Sequence, residues 1–321
     1  MIGSQSCLQL GLVLPPCLSG DELRAVACDA DASGLHSLWV TDRTVAGLPW
    51  LNAVTVLGAL AVATERVQIG TSVLVLPRRN PVHVAHELAS ADYLTDGRLI
   101  AGIGVGNAAV SGPEFQIAGV HMSHRGRLTD EYLTLIRRLW TEDAVDYHGH
   151  GWACTGTSLA PKPHRHIPVW IGGSTSKARR RAGRAGDGWL AVFSSPDRYP
   201  AEWAEVQHEA DLHDRDPEQL VPATYLFGAI DEDGASSRRL LDGILPGFLG
   251  APLDAVADTC IWGTSGQWLQ RLAQWQEAGA RHVNVALFTS ALEHDMHLLT
   301  ERVLPQLAAS PGAASQQAVT R

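Results

Sequence analysis

Short apolar runs rich in β-branched residues alternate with helical segments along almost the whole chain. Eight of these runs have the length and composition of strands: Cys7–Leu14, Ser37–Thr41, Val67–Leu76, Leu99–Gly106, Pro168–Gly173, Gly188–Phe193, Val221–Ile230 and His282–Phe288. A polar or glycine turn and a helical pattern follow each run, and the first helix begins with Ser19 and Glu22, which match a capping box. This alternation is typical of βα units around a parallel sheet.

Eight βα pairs predict an α/β fold of the (β/α)₈ barrel type, because eight pairs close a barrel more naturally than they fill an open sheet. A doubly wound open sheet is the alternative, since the number of strands does not prove closure. We expect a single barrel domain over residues 1–309 and a disordered tail over 310–321. The long segments Ala108–His124 and Asp143–His166 are expected as loop insertions at the carboxyl-terminal face of the strands. There, with Trp50 and Trp152, they would shape a substrate pocket.

Composition and charge exclude several classes of function. The net charge of −9 argues against a nucleic-acid partner, because affinity for a phosphate backbone comes mainly from clustered Lys and Arg. Five cysteines without a CxxC pair favour reduced thiols and a cytoplasmic protein. The first twenty residues have no basic segment before their apolar ones, so we expect neither a signal peptide nor a membrane span. The 14 histidines come without a Cys partner or an HExxH helix, so no metal site is expected.

Side chains that could take part in a reaction or bind a ligand follow the ends of the strands, where barrels of this type place their active sites. The second run leads into Asp42 and Arg43, a carboxylate beside a guanidinium; a solvated ion pair is the alternative interpretation. Small residues from Gly70 to Val73 indicate a bulge or a close approach to a ligand. The glycines between Gly102 and Gly106 would let a flat ring approach the main chain, although the third glycine of a dinucleotide motif is missing.

The turn after the fifth run, Gly172–Ser176, precedes a helix and has the features of a phosphate site. Free backbone N–H groups and the helix dipole both favour an anion at such a position. A plain helix cap with a glycine turn is the alternative. Five basic side chains in this helix would either form a solvated face or contact the anionic part of a ligand: Lys177, Arg179, Arg180, Arg181 and Arg184.

Several blocks taken together resemble the luciferase-like monooxygenase superfamily. They are Gly34–Asp42, Gly70–Pro81, Thr95–Arg98, Glu114–Phe115, Arg125–Leu128, Pro161–Pro163, Ala185–Trp189 and Ala278–Ala280. The resemblance covers roughly Leu10 to Leu307. The spacing is most similar to the branch that uses coenzyme F420, a 5-deazaflavin hydride carrier, and FMN-dependent monooxygenases are near relatives. The resemblance implies a (β/α)₈ barrel with a tricyclic redox cofactor.

The resemblance also implies roles for individual residues. Asp42 would lie near the deazaflavin ring, and Ser72 and Val73 would form a bulge with a non-prolyl cis peptide behind it. The main chain along the cofactor and the phosphate-binding turn would be formed by Gly104, Val105, Gly106 and Asn107, and by Gly173, Ser174 and Thr175. Asn107 stands where the sugar-phosphate dehydrogenase subgroup has an acid.

Arg43 stands where well-studied members have a catalytic histidine. An arginine cannot shuttle protons near neutral pH, because its pKa exceeds ~12. We therefore expect Asp42 and Arg43 to act together in catalysis. Arg43 would stabilise developing negative charge or hold an acidic substrate, while Asp42 would fix the guanidinium.

The sequence thus predicts an F420-dependent oxidoreductase that transfers a hydride between the deazaflavin C5 and a small organic substrate. An FMN-dependent luciferase-like monooxygenase that receives reduced flavin from a separate reductase is the first alternative. A flavin-binding barrel without turnover is the second. A homodimer is usual in the resembled family.

Overall fold

A computed structural model describes residues 7–44 and 47–309. The strands are β1 Gln9–Val13, β2 Ser37–Val40, β3 Gln68–Thr71, β4 Leu74–Val75, β5 Leu99–Gly104, β6 Val145–His148, β7 Ala153–Thr157, β8 Val169–Gly172, β9 Gly188–Ala191, β10 Val221–Ile230, β11 Cys260–Gly263 and β12 His282–Leu287. The α-helices are α1 Gly20–Ser33, α2 Ala53–Ala63, α3 Pro81–Leu94, α4 Ala108–Ile117, α5 Arg125–Thr141, α6 Ser176–Ala185, α7 Tyr199–Asp211, α8 Gly234–Leu249, α9 Leu253–Val256, α10 Ser265–Glu277, α11 Leu292–Leu298 and α12 Leu304–Ala309. The predicted tail, 310–321, lies outside the described residues.

Eight parallel strands form a closed barrel in the order β1, β2, β3, β5, β8, β9, β10 and β12, and β12 pairs again with β1. Gly11 of β1, for example, is in register with Ser37 of β2 on one side and with Asn284 of β12 on the other. These are the eight predicted runs, so the barrel is confirmed and the open sheet is wrong. The third run divides at Ser72–Val73 into β3 and β4, which is the interruption that its small residues indicated.

The barrel strands are buried on both faces. Outward residues such as Leu38 and Val40 pack against the helices, and inward residues such as Trp39 fill the barrel. The rings of Trp39 and Trp170 lie 5.1 Å apart inside it. A side chain at Gly70 would place its Cβ 2.6 Å from the Trp39 ring. Gly70 therefore makes room for an indole rather than for a ligand, which corrects that part of the sequence interpretation.

Local signals account for several helix ends. Ser19 and Glu22 form the predicted capping box of α1, and Gly34 at φ +81° ends that helix. Asn80 caps α3 through its side chain, and Pro81 occupies the first turn, where its missing N–H is not needed.

The two predicted insertions contain regular structure, and the second does not cover the barrel mouth. Ala108–His124 includes helix α4. Within Asp143–His166, β6 and β7 form an antiparallel hairpin that packs along α5. Its tip is held by Glu131, which accepts from the Gly151 N–H at 2.9 Å. Trp152 packs against the main core, so neither it nor this hairpin shapes the pocket as expected.

The sequence pattern also missed β11, α8 and the short helix α9. The four residues of β11 extend the sheet by pairing with the carboxyl half of β10, Phe227–Ile230. Within 7–44 and 47–309, no single helix is long and apolar enough to cross a membrane; the bent pair Gly234–Leu249 and Leu253–Thr259 meets the requirement only when taken together. Those same ranges hold no group of three or more His, Cys, Asp or Glu side chains placed to bind a metal ion.

Candidate active site

The barrel interior is closed towards the amino ends of the strands, which we call the lower end, and open at their carboxyl ends. Its lower layer is buried and consists of Val13, Trp39, Ile100, Trp170, Leu190 and Ala223. Inward-facing side chains nearer the carboxyl ends of the strands are partly exposed, and we refer to them as the mouth residues: Thr41, Val73, Val192, Tyr225, Ala286 and Phe288. Because the two indoles block the lower end, a ligand enters from the carboxyl-terminal face, where barrels of this class carry their active sites.

Asp42 is buried and does not hold Arg43. Its carboxylate accepts from the Val75 N–H at 3.0 Å, from Arg78 at 2.9 Å and from Arg79 at 2.7 Å. The predicted pairing of Asp42 with Arg43 is therefore wrong, and so is its alternative, a solvated ion pair between them. Neighbouring residues of an extended chain point to opposite faces. Thr41 points towards the mouth with Tyr225, so Asp42 points outward into the core.

Arg78 connects Asp42 to a second buried acid, Glu114 of α4, at 2.5 Å. Glu114 also accepts from the Thr44 N–H at 2.5 Å. We call Asp42, Arg78, Arg79 and Glu114 the Asp42 cluster. The side chains of Asp42 and Glu114 are each 1% exposed and that of Arg78 is 5% exposed. The cluster joins the end of β2, the turn after β4 and α4, and its two acids balance its two arginines.

Arg43 lies at the rim of the mouth against Trp50. Its guanidinium carbon is 5.6 Å from the centroid of the Trp50 ring, and the indole Nε1 donates to the Thr41 carbonyl oxygen at 3.0 Å. The Arg43 Nε is buried and has no acceptor among the described residues. No carboxylate in 7–44 or 47–309 lies within ion-pair distance of it. The structure thus places a cation at the mouth with unused donor capacity.

Val73 covers the ends of two neighbouring strands. A Cβ at Gly104 would lie 2.4 Å from one Val73 methyl, and a Cβ at Gly172 would lie 2.7 Å from the other. Gly104 therefore makes room for Val73, and the contact of its main chain with a cofactor ring stays a prediction. The Ser72–Val73 peptide is cis, as the resemblance implied, and the Ser72 hydroxyl is buried without a partner among the described residues.

Gly106 also has a packing role. It adopts φ +79°, and a Cβ there would lie 2.7 Å from the Phe115 ring. Asn107 is exposed, and its carbonyl oxygen accepts from the Ser111 N–H at 2.8 Å in the first turn of α4. Val105 is partly exposed. The side chains of Val105 and Asn107 are accessible to solvent, and their contact with a cofactor stays a prediction.

The turn between β8 and α6 has the geometry of an anion site. Thr175 caps α6 by accepting from the Ala178 N–H at 3.3 Å. In the part of the chain that the structure describes, no acceptor is assigned to the backbone N–H groups of the four residues from Ser174 to Lys177. Such donors at a helix N-terminus are suited to a phosphate. We call Gly173–Lys177 the phosphate turn, and its occupancy by a cofactor stays a prediction.

Most of the basic charge in α6 is neutralised within the protein. Three of its arginines pair with carboxylates, namely Arg179 with Glu202 and Glu205, and both Arg181 and Arg184 with Asp130. Lys177 and Arg180 are exposed and have no ion pair within the described ranges. These two side chains, rather than the whole basic face, remain free to meet an anion near the turn.

The sequence analysis missed a set of aromatic side chains that lie on β10, just after β9 and β12, and on α8, which packs against them. We call this set the aromatic wall: Phe193, Tyr225, Phe227, Phe248 and Phe288. Phe227 lies at its centre, with ring centroids 5.2 Å from Tyr225 and 5.8 Å from Phe193. The Tyr225 phenol shares a hydrogen bond with Thr41, and burial raises its pKa well above the usual value. No short motif contains this wall, because barrel closure brings its members together.

Comparison with known proteins agrees with this architecture. A family model described as luciferase-like monooxygenase matches residues 8–251. The chain belongs to the luciferase-like monooxygenase family. Among solved structures, an F420-dependent secondary alcohol dehydrogenase in complex with an F420-acetone adduct superposes with a TM-score of 0.84 at 19% identity, over 96% of this chain and 99% of that one. At this identity the likeness shows the fold.

Curated relatives provide matches of higher sequence identity. An F420-dependent glucose-6-phosphate dehydrogenase of Amycolatopsis mediterranei (strain U-32) is 36% identical over 183 residues, which are 53% of each chain. One of Kribbella flavida (strain DSM 17836 / JCM 10339 / NBRC 14399) is 27% identical over 327 residues, covering 89% of this chain and 94% of the relative. In the first of these matches, the chain spans about half the length of the relative.

Proposed function

We propose that this luciferase-like family member is an F420-dependent oxidoreductase that transfers a hydride between the deazaflavin C5 and a small organic substrate. The observation that carries the proposal is the phosphate turn at the end of β8, with free N–H groups from Ser174 to Lys177. Relatives named as F420-dependent dehydrogenases favour the deazaflavin over FMN. The phosphate turn alone is compatible with either cofactor.

The residues at the mouth fit a flat cofactor with a phosphate-bearing tail. Val73 would support the ring, Val105 and Asn107 would border it, and Gly173, Ser174 and Thr175 would hold the phosphate through main-chain donors. When bound, F420 supplies the hydride acceptor or donor, and the protein supplies placement and electrostatics.

Arg43 would act on the substrate. Its guanidinium carries a permanent positive charge and its Nε has no acceptor among the described residues, so it would donate to a substrate oxygen. That contact would stabilise negative charge on the substrate oxygen during hydride transfer. Arg43 would not transfer a proton. Asp42 would position the mouth through the Asp42 cluster and would not touch the substrate.

Equilibrium binding of oxidised F420 and of FMN to the purified protein tests the cofactor and its site. Ser174→Glu is the informative variant, because Ser174 is exposed and the change places negative charge at the turn. Gly173→Glu is less clean, since Gly173 adopts φ +140° and a Cβ there would lie 2.8 Å from that of Ala178. Gly243→Glu, at an exposed helical position with open space, is the matched control.

We expect Ser174→Glu to weaken F420 binding roughly ten- to a hundredfold, the range of one charge-assisted hydrogen bond of about 1.5–3 kcal/mol. Gly243→Glu should leave the dissociation constant unchanged. Equal F420 affinity in both variants would place the phosphate elsewhere. Binding of FMN without F420 would instead favour the monooxygenase reaction, and binding of both without turnover would favour a non-catalytic barrel.

A further inference from the structure

The aromatic wall lies across the barrel from β3 and β5, the side on which we place the cofactor. In the closed ring of eight strands, β10 is opposite β3 and β12 is opposite β5. Val73 follows β3 and Val105 follows β5, whereas Tyr225 lies on β10 and Phe288 follows β12. A substrate that stacks on a cofactor ring supported by Val73 would therefore contact the wall on the side of the barrel opposite Val73.

The wall contains no charge and part of it is open to solvent. Residues 192–193, 225–227 and 286–288 include no charged side chain. Phe193 is 38% exposed, and Tyr225, Ala286 and Phe288 are partly exposed. The nearby guanidinium of Arg198 donates to the Phe193 carbonyl oxygen at 2.8 Å. The surface thus favours an apolar group, because that contact removes apolar area from water on both sides.

Phe193 is held in a backbone conformation that bulky residues rarely adopt. Its φ is +57°, in the left-handed region. The ring packs against Phe227 at a centroid distance of 5.8 Å. Residues in sparsely populated conformations persist where the surrounding structure over-determines them, and they concentrate at ligand sites. The conformation of Phe193 is consistent with a residue that contacts a ligand.

We propose that the aromatic wall binds the apolar body of an alcohol or carbonyl substrate that carries no phosphate. The inference rests on the proposed function and adds the substrate class to it. In the oxidising direction, the substrate C–H bond breaks with its electron pair as a hydride moves to oxidised F420, and the O–H bond breaks as the carbonyl forms, with its proton passing to solvent water. Reduction by reduced F420 is the reverse. A phosphate dianion against the aromatic rings would lose hydration, and the rings themselves carry no positive charge to compensate.

The test compares two substrate classes on the F420-loaded protein, followed by the deazaflavin absorbance. One class is cyclohexanol and 1-phenylethanol with oxidised F420, and cyclohexanone and acetophenone with reduced F420. The other is glucose 6-phosphate with oxidised F420. The wall is probed by Phe288→Ala and by Phe193→Asn, since Asn tolerates positive φ. Leu212→Ala, which removes an apolar side chain that is 63% exposed at the end of α7, is the control.

We expect turnover of the apolar class and none of glucose 6-phosphate. Phe288→Ala should raise KM for the apolar substrates about tenfold or more while F420 affinity is unchanged, because the lost contact is apolar and lies across the barrel from the cofactor side. Leu212→Ala should change neither value. The inference would be overturned if the protein turned over glucose 6-phosphate alone or neither class of substrate. It would also be overturned if KM for the apolar substrates were unchanged in both wall variants. Failure to bind F420 would instead overturn the proposed function.

Discussion

Asp42 and Arg43 are adjacent in the chain and have opposite environments. Asp42 is 3% exposed and its carboxylate accepts from two arginines and a main-chain N–H. Arg43 is half-buried against Trp50 and keeps a buried Nε without an acceptor among the described residues. Asp42 thus has its hydrogen-bonding capacity filled by the protein, whereas the next residue, Arg43, can still donate to a ligand.

Arg43→Ala should lower kcat/KM for the substrate while leaving the F420 dissociation constant nearly unchanged. The expected loss is roughly ten- to a hundredfold, because a charge-assisted hydrogen bond contributes about 1.5–3 kcal/mol. Steady-state kinetics and cofactor titration measure the two effects separately. Arg43→Lys should recover part of the loss, since it keeps the charge but not the planar donor group.

The exposed Arg24, which pairs with Asp21, offers the control variant Arg24→Ala. Wild-type turnover in Arg43→Ala would show that the guanidinium has no part in catalysis and only packs on Trp50.

At the scale of elements, the Asp42 cluster joins three segments that border the mouth. Asp42 follows β2, Arg78 and Arg79 lie in and after the short 3₁₀ turn that follows β4, and Glu114 lies on α4. Charges this deeply buried are costly to leave without a partner. The cluster therefore couples the positions of these elements, and with them the placement of Arg43 and Val73.

Asp42→Ala should destabilise the fold by about 3–5 kcal/mol. The change removes the carboxylate that accepts from Arg79 and from the Val75 N–H, and it leaves Arg78 paired with Glu114 alone. Asp21→Ala is the matched control. It removes an Asp–Arg pair whose acid side chain is 91% exposed, and such pairs contribute about 1 kcal/mol or less. Urea unfolding measures both free energies. Equal and small losses in the two variants would mean that the buried cluster contributes no more than a surface pair.

At the scale of the whole molecule, the lower end of the barrel encloses a neutral polar network. His282 Nε2 lies 2.7 Å from the Asn284 Oδ1 and 3.2 Å from the Ser37 Oγ. The His36 ring lies 5.1 Å from that of His282. Burial lowers the pKa of His282 to about 3 and that of His36 to about 4. Both histidines are therefore neutral in the folded protein at pH values where they would be charged in the unfolded chain.

Stability should consequently fall as the pH is lowered from 7 to 5. Between the folded pKa values of about 4 or below and the unfolded value near 6.5, the unfolded chain binds more protons, so acid favours unfolding. Each histidine should contribute about 2 kcal/mol of loss over this interval. Asp92 and Asp295, whose pKa values are raised by burial, act in the opposite sense towards the acid end.

The measurement is the free energy of unfolding at pH 7 and pH 5 for the wild type and for His282→Gln. The variant should lose about 2 kcal/mol less than the wild type over this interval, whatever its stability at pH 7. His208→Gln, at an exposed position of α7, should keep the wild-type dependence. An unchanged pH dependence in His282→Gln would mean that His282 does not remain neutral in the fold.

The sequence by itself determined the features that depend on neighbours in the chain. The eight βα pairs, the Ser19–Glu22 cap and the turn at Gly173–Ser176 each need only a few consecutive residues, so their periodicity and turn chemistry could be read directly. The alternation after Trp39 was equally local, and it already indicates that Asp42 and Arg43 point to opposite faces.

Only the tertiary structure decided the partners that lie far apart in sequence. Glu114 meets Arg78 because α4 returns to the end of β2, and Gly104 accommodates Val73 because β5 lies beside β4. The aromatic wall exists because barrel closure brings the ends of β9, β10 and β12 together and α8 adds Phe248. Local patterns constrain which face a side chain occupies, but the packing of distant strands sets what that face meets.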